Sequence, residues 1–399
     1  MKYIVIAVSG IADHPAEELG GKTPLEVAKI PNLNYFTKIG KVGQVKLVSD
    51  RLEPSSDTSF LSLLGYDPEK VYTGRGPLEA ANLELKLEDN EVAFRMNFVT
   101  EASGVLADFT GGNLSTKEAK ALINFLNKKV ASDFIRFFPG SNYRHIAVLK
   151  DSHGFEALSA KTQNPESLIG EKIENHLPKG PGEELLKKIM YDARLLLQDH
   201  EINQVRIDLN ENPANMVWLW GQGRRPFLEK FSELYDLTGA VLSSMEYAKG
   251  AARLGGLTVL DMEESSVEEP EIRYTRYAKR FAEVASEKDF ICMHFDAADE
   301  ASLGGDYKAK ISALEAIDFF VLARVKEYLE IHKDVRVVVT SAHALPWKTR
   351  KHTRDYVPFV IAGKNIMADD FERFSETSSK TSSLKISKGA EFIKFILSK

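Results

Sequence analysis

The chain has 399 residues, enough for two domains or one large domain with an insertion. Hydrophobic residues make up 43% and charged residues 28%, with a formal net charge of -6. These are ordinary values for a soluble globular protein. They leave no broad basic field, which argues against nucleic acid or an anionic membrane as the main partner. Cys292 is the single cysteine, so no disulfide within the chain and no cysteine-based metal site is expected. The apolar run at residues 1–8 is too short for a signal peptide or a membrane span, and the cytoplasm is the expected location.

Tyr3 to Val8 is a β-branched apolar run closed by Ser9-Gly10. It reads as a buried parallel strand whose carboxyl end opens into a loop, the edge where sites form in open α/β sheets. The stretch LGGKTPLE at residues 19–26 ends like a phosphate-binding loop, but the first glycine of that motif would fall at Ala16, which excludes it. Pro31 starts a helix, and Val42 to Val48 reads as a second strand.

Residues 54–68 organise the chain. A loop of small polar residues runs into a short apolar helix. Ser55, Ser56 or Asp57 can cap its start, Gly65 suits a left-handed stop, and Pro68 ends it. A serine hydroxyl at a helix start sits among unpaired N–H groups and the positive end of the dipole, a favourable place for a phosphoryl group. The alternative is a plain cap.

Residues 72–80 read as a glycine-rich turn carrying Arg75, and Glu91 to Val99 alternates like a half-buried strand. The pattern changes near residue 105. Ser115 to Ala131 reads as a capped amphipathic helix, and residues 134–138 and 145–149 as paired strands. An inserted α+β domain is expected at 105–205, between two segments of a core domain at 1–104 and 206–399. Apolar strands follow at 216–220, 240–244, 257–260, 290–294 and 335–340, with helical patterns between them, notably Lys308 to Lys326. Alternating β and α segments predict an α/β core with a mostly parallel sheet and helices on both faces.

Two constellations end the late strands: His294 to Asp306, which includes Asp296 and Asp299, and Thr340 to His343, followed by His352. Carboxylates and histidines in that position are candidates for a divalent metal; a solvated loop and ordinary hydrogen-bonded histidines are the alternatives.

Together the segments LGGKTPLE, PNL, SSDTSFLSLLGYDP, YTGRGPLEAA, VAFRMNFVT, PANMVWLWGQG, HFDAADEA and VPFVIAG span nearly the whole length. In that order they resemble the archaeal-type cofactor-independent phosphoglycerate mutases of the alkaline phosphatase superfamily. The resemblance implies an alkaline-phosphatase-like core interrupted by an insertion. It also implies interconversion of 2- and 3-phosphoglycerate through a phosphoserine, assisted by two Mn2+, Mg2+ or Zn2+ ions. The matching serine is Ser56, and the matching metal ligands are Ser56, Asp299, His343 and His352.

Departures from the pattern accompany the matches. Ser9, Leu303 and Ala342 stand where the family places metal ligands. Asp13, Asp57, Asp296 and Asp306 are carboxylates that folding could bring in as replacements, as is retention of a single metal. On the substrate side, Thr110-Gly111-Gly112-Asn113 aligns with an Arg-Ala-Gly-Arg stretch, Pro165-Glu166-Ser167 with Pro-His-Asp, and the acidic run 263–266 with Gly-Ala-Thr-Gly. Arg75, Arg95, Arg224 and Lys249 remain as candidate substrate-binding cations. Two readings follow. One is a phosphoglycerate mutase using Ser56. The other is a catalytically silent relative without retained metals that binds a ligand or a partner protein.

Overall fold

A computed structural model describes residues 1–150, 156–262 and 268–398. It divides into two compact units: residues 1–72 with 228–399, and residues 73–227.

The first unit is built on an eight-stranded sheet. Its strands are β1 (Lys2–Val8), β2 (Gly40–Val45), β8 (Gly239–Ser243), β9 (Thr258–Asp261), β10 (Phe290–Phe295), β11 (Val335–Thr340), β12 (Val357–Gly363) and β13 (Lys385–Ile386), in the order β13-β2-β12-β11-β1-β10-β8-β9. All neighbours are parallel except β12, which runs antiparallel to both β11 and β2. This is the α/β class with a mostly parallel sheet that the sequence predicts. Val8 lies opposite Phe295 and Ala7 opposite Thr340. The register therefore brings Ser9, Asp296 and Ser341 to one sheet edge, although nearly the whole chain separates them.

Helix Pro31–Lys38 has proline at its first position, as expected. Its unpaired N–H groups are met by Asp318, whose carboxylate accepts from Leu33 N at 2.8 Å and Asn32 N at 3.1 Å. Asp318 opens a widened π turn, Asp318–Leu322, so the single helix expected over 308–326 is instead Tyr307–Ile317, that turn, and Ala323–Ile331. Asp318→Ala orphans one buried and one part-buried donor and is expected to cost about 3 kcal/mol, read as a lower urea midpoint.

The second unit carries an antiparallel sheet of β3 (Glu91–Ala102), β4 (Val105–Asp108), β5 (Ile135–Phe138), β6 (Arg144–Lys150) and β7 (Met216–Gly223). β5 and β6 pair as predicted, and helix Thr116–Lys129 has Ser115 and Glu118 in a reciprocal cap. The unit is wider than the expected 105–205. β3 and β7, assigned to the core by the sequence pattern, pair with each other here, Met96 opposite Leu219. β3 is buried from Glu91 to Glu101 rather than half-buried. One face packs Phe94, Met96 and Phe98 on the helices; the other packs Ala93 on Ala80, Leu87 and Val148. With both faces covered, alternation no longer reports exposure. The expected turn at 72–80 is mostly helix, Arg75–Asn82, entered through Gly74. Among the described residues, no helix is long and apolar enough to cross a membrane.

Candidate active site

Ser56 is the first residue of helix Ser56–Leu63. Ser55 precedes it as the cap residue without a side-chain cap; its hydroxyl pairs with Thr58 Oγ1 at 3.0 Å. Asp57 accepts from Thr58 N at 2.9 Å and Tyr72 OH at 2.7 Å. Gly65 takes the left-handed stop at φ 87, and Pro68 begins the next short helix rather than merely ending this one. The Ser56 hydroxyl is left facing His352, with Oγ and Nε2 3.2 Å apart.

From there the expected ligands converge. Asp299 Oδ1 lies 3.4 Å from His352 Nε2 and 2.5 Å from His343 Nε2. The ligand atoms of Asp299, His343 and His352 all fall within 4.8 Å of one another. Asp299 and His343 are buried, whereas the His352 side chain is 22% exposed. Burial alone would raise the Asp299 pKa. The imidazoles of His343 and His352 outweigh it and hold the carboxyl below the usual range. Burial lowers the His343 pKa, opposed by Asp299.

Ser59 fixes the His343 ring. Its hydroxyl lies within donating distance of the carbonyls of Ser55 (3.1 Å) and Ser56 (3.0 Å), and 3.2 Å from His343 Nδ1. If Ser59 donates to a carbonyl, it accepts from Nδ1–H, and Nε2 is left bare. A bare nitrogen 2.5 Å from a carboxylate oxygen then calls for a positive charge, a proton or a metal cation. The donor set of one carboxylate and two imidazoles suits one divalent transition cation.

The vacated positions behave differently. Ser9 Oγ lies 2.9 Å from His294 Nε2, and His294 Nδ1 lies 3.0 Å from Ser243 Oγ. The chain Ser9–His294–Ser243 is neutral, because burial, with the charge of His343 adding, pushes the His294 pKa down to about 3. Ala342 is buried, and Leu303 is exposed. No donor set for a second cation is assembled among the described residues. Of the carboxylates considered as replacements, Asp13 pairs with Lys310, Asp57 with Tyr72, and Asp306 caps a helix at Lys308 N. Asp296 Oδ1 is 3.9 Å from His294 Nε2. None of the four joins the cluster.

Gly10, next to Ser9, touches the site through its backbone. Its φ is 69, and a Cβ there would sit 2.9 Å from Asp299 Cα and 3.2 Å from Oδ1. Gly10→Ala is therefore expected to displace Asp299 and to weaken the cluster's affinity for a divalent cation on the order of tenfold, measured by calorimetric titration.

The candidate substrate cations are divided between the two units. Lys249 lies in the first unit and is paired with Asp261 at 2.8 Å. Arg75, Arg95 and Arg224 lie in the second unit. Arg95 is fully buried, bonded to Glu79 and, at 2.9 Å, to Asn97 Oδ1; Arg75 reaches the same Glu79 oxygen at 2.8 Å. Burial raises the Glu79 pKa, but the two guanidinium groups lower it further. At the thinned substrate stretches, Asp108 accepts from Thr110 N and Gly112 N, and residues 165–167 form a short helix capped by Asn164. The acidic run 263–266 lies outside the described residues. Sequence reasoning did not assign roles to Ser59 or Ser243. His294 was visible at a strand end, but no local pattern links it to Ser243 or Ser9.

The chain is similar to known proteins over its full length. The family model for 2,3-bisphosphoglycerate-independent phosphoglycerate mutase matches residues 37–203. The protein of that name from Methanothrix thermoacetophila is 36% identical over 398 residues, covering 100% of both chains. Phosphoglycerate mutase 2 of the same type from Methanothermobacter thermautotrophicus is 37% identical, covering 96% of this chain and 94% of its own. Among solved structures, the PH0037 protein from Pyrococcus horikoshii matches with a TM-score of 0.80 at 26% identity, covering 99% and 96% of the two chains. The cofactor-independent phosphoglycerate mutase from Thermoplasma acidophilum matches with a TM-score of 0.62 at 25% identity, covering 100% and 99%. Likeness over the full length, at these identities, makes the chain a member of the archaeal-type 2,3-bisphosphoglycerate-independent phosphoglycerate mutase family.

Proposed function

We propose that the protein interconverts 2- and 3-phosphoglycerate through a phosphoserine at Ser56. The observation that carries this reading is the convergence of Ser56, Asp299, His343 and His352 from three distant segments. Ser56 Oγ forms the new bond to phosphorus as the substrate's ester P–O bond breaks, and the departing carbon-bound oxygen keeps that bond's electron pair. The proton lost by Ser56 ends on the departing glycerate. Return of the phosphoryl group to the other hydroxyl reverses the same steps. The start of helix Ser56–Leu63 places N–H groups and the dipole's positive end beside the transferred group. His352 Nε2 is positioned to hold the serine proton when no cation engages it. Asp299, His343 and His352 would hold one Mn2+, Mg2+ or Zn2+ ion, which, when bound, neutralises phosphoryl charge and lowers the serine pKa. The reading carries with it a cytoplasmic location, a phosphoglycerate-like substrate, and no role for nucleic acid or membrane.

A second reading, a silent ligand-binding or protein-interaction relative, is favoured by one observation: the neutral Ser9–His294–Ser243 chain. A coupled 3-phosphoglycerate assay with Mn2+ decides between them. Turnover lost in Ser56→Ala supports the mutase, and a folded protein with no turnover supports the silent relative.

Cation stoichiometry is a separate test. One Mn2+ per chain is expected. Ser9→Asp, Leu303→His and Ala342→Asp together are expected to admit a second, counted by equilibrium dialysis. No gain in the triple variant would refute the assignment of these three positions.

A further inference from the structure

The segment 344–351 separates the two histidines of the cluster, and residues 348–351 are exposed or nearly so. Something must hold this segment if His343 and His352 are to keep their spacing. Its inner half is tied to the loop after β1. Leu345 N donates to Ala12 O at 3.3 Å, and Ala12 and Ala344 form a parallel bridge. Two backbone groups go elsewhere. Lys310 Nζ donates to Leu345 O at 3.1 Å, and Asp13 Oδ2 accepts from Trp347 N at 3.2 Å. Lys310 and Asp13 are themselves paired at 2.5 Å, with side chains 0% and 1% exposed. Asp13 is held in turn: its Oδ1 accepts from His14 N at 2.7 Å and its N–H donates to Glu376 Oε1 at 3.0 Å. Glu376 is fixed by Thr23 Oγ1 at 2.7 Å.

We propose that the buried Lys310–Asp13 pair is a clamp that positions His343 and His352, by gripping one carbonyl and one amide of the segment between them. A buried ion pair is a costly way to gain stability alone, since an apolar pair of similar volume serves as well. Here each member also satisfies a backbone group that an apolar side chain would leave orphaned. Groups that orient ligands from outside the cluster commonly change metal affinity by about 10- to 100-fold when removed.

The test uses the full chain. Asp13→Leu with Lys310→Met removes the clamp without leaving a lone buried charge. The variant is expected to melt cooperatively while the amides of 344–353 exchange with solvent at least about tenfold faster and Mn2+ binding weakens about 10- to 100-fold. A folded variant with unchanged exchange at those amides overturns the clamp. Wild-type protein supplies a measurement that needs no variant. Leu345 and Trp347 amides are expected to exchange as slowly as those of β1, and exchange at the rate of their exposed neighbours overturns the proposal. The Mn2+ arm rests on the cation reading above. If wild-type protein binds no Mn2+, that reading falls while the exchange arms still decide the clamp.

Discussion

Ser56→Ala is expected to lower 3-phosphoglycerate turnover by about 10^4-fold or more, to the background of the coupled assay. The effect is large because Ser56 supplies the oxygen that takes up the phosphoryl group in the proposed route. A neighbouring serine cannot substitute. Ser55 Oγ is paired with Thr58, and Ser59 Oγ is turned toward His343 Nδ1 and the carbonyls behind it. Ser55→Ala is expected to leave turnover within a few-fold of wild type, with "few-fold" set by the roughly 0.5–1.5 kcal/mol of one ordinary hydrogen bond. A quenched reaction should yield a phosphorylated peptide containing Ser56. Full activity in Ser56→Ala would remove it as nucleophile.

Acid is expected to destabilise the protein in two stages, because two core histidines must charge to unfold. His145 and His294 are fully buried, and burial pushes each pKa from 6.5 down to about 3. For His145 the Arg95 charge adds to burial. Below pH 6.5 the unfolded chain binds these two protons and the folded chain does not, so stability falls as pH falls. Glu376 acts in the opposite sense. Burial raises its pKa from 4.5 to about 7, so between those values the folded state binds the extra proton. From these three groups alone, two protons against one give a loss of about 1.4 kcal/mol per pH unit from 6.5 to 4.5. Below 4.5 Glu376 is protonated in both states. The slope then steepens to about 2.7 kcal/mol per unit until the histidines titrate near pH 3. His343, whose pKa is also lowered, adds to the loss. Urea midpoints from pH 7.5 to 3.5 would show the bend. His145→Phe is expected to reduce both slopes: the histidine's Nδ1 accepts from Gly140 N, and the ring already packs edge-on against Phe98. A flat profile would mean that these histidines are charged in the folded protein.

Sequence alone determined the family, the α/β class and Ser56 at a helix start. These rest on local pattern: apolar runs for β1, β8, β10 and β11, a capping box at Ser115, and proline at the start of helix Pro31–Lys38. Such features follow from side-chain chemistry within a few residues, so a linear reading suffices. Sequence also named Asp299, His343 and His352, but by likeness to a family, one residue at a time. Only the tertiary structure decided that these three form a single cluster, because parallel strand register sets which distant strand ends meet. It also placed His294 between Ser9 and Ser243, paired Arg95 with Glu79, and put the β3–β7 pair in the second unit rather than in the core where both strands were expected. Each of these is a long-range choice of partner for a buried polar or backbone group. Burial forces such a partner to exist, and only the folded chain determines which one it is.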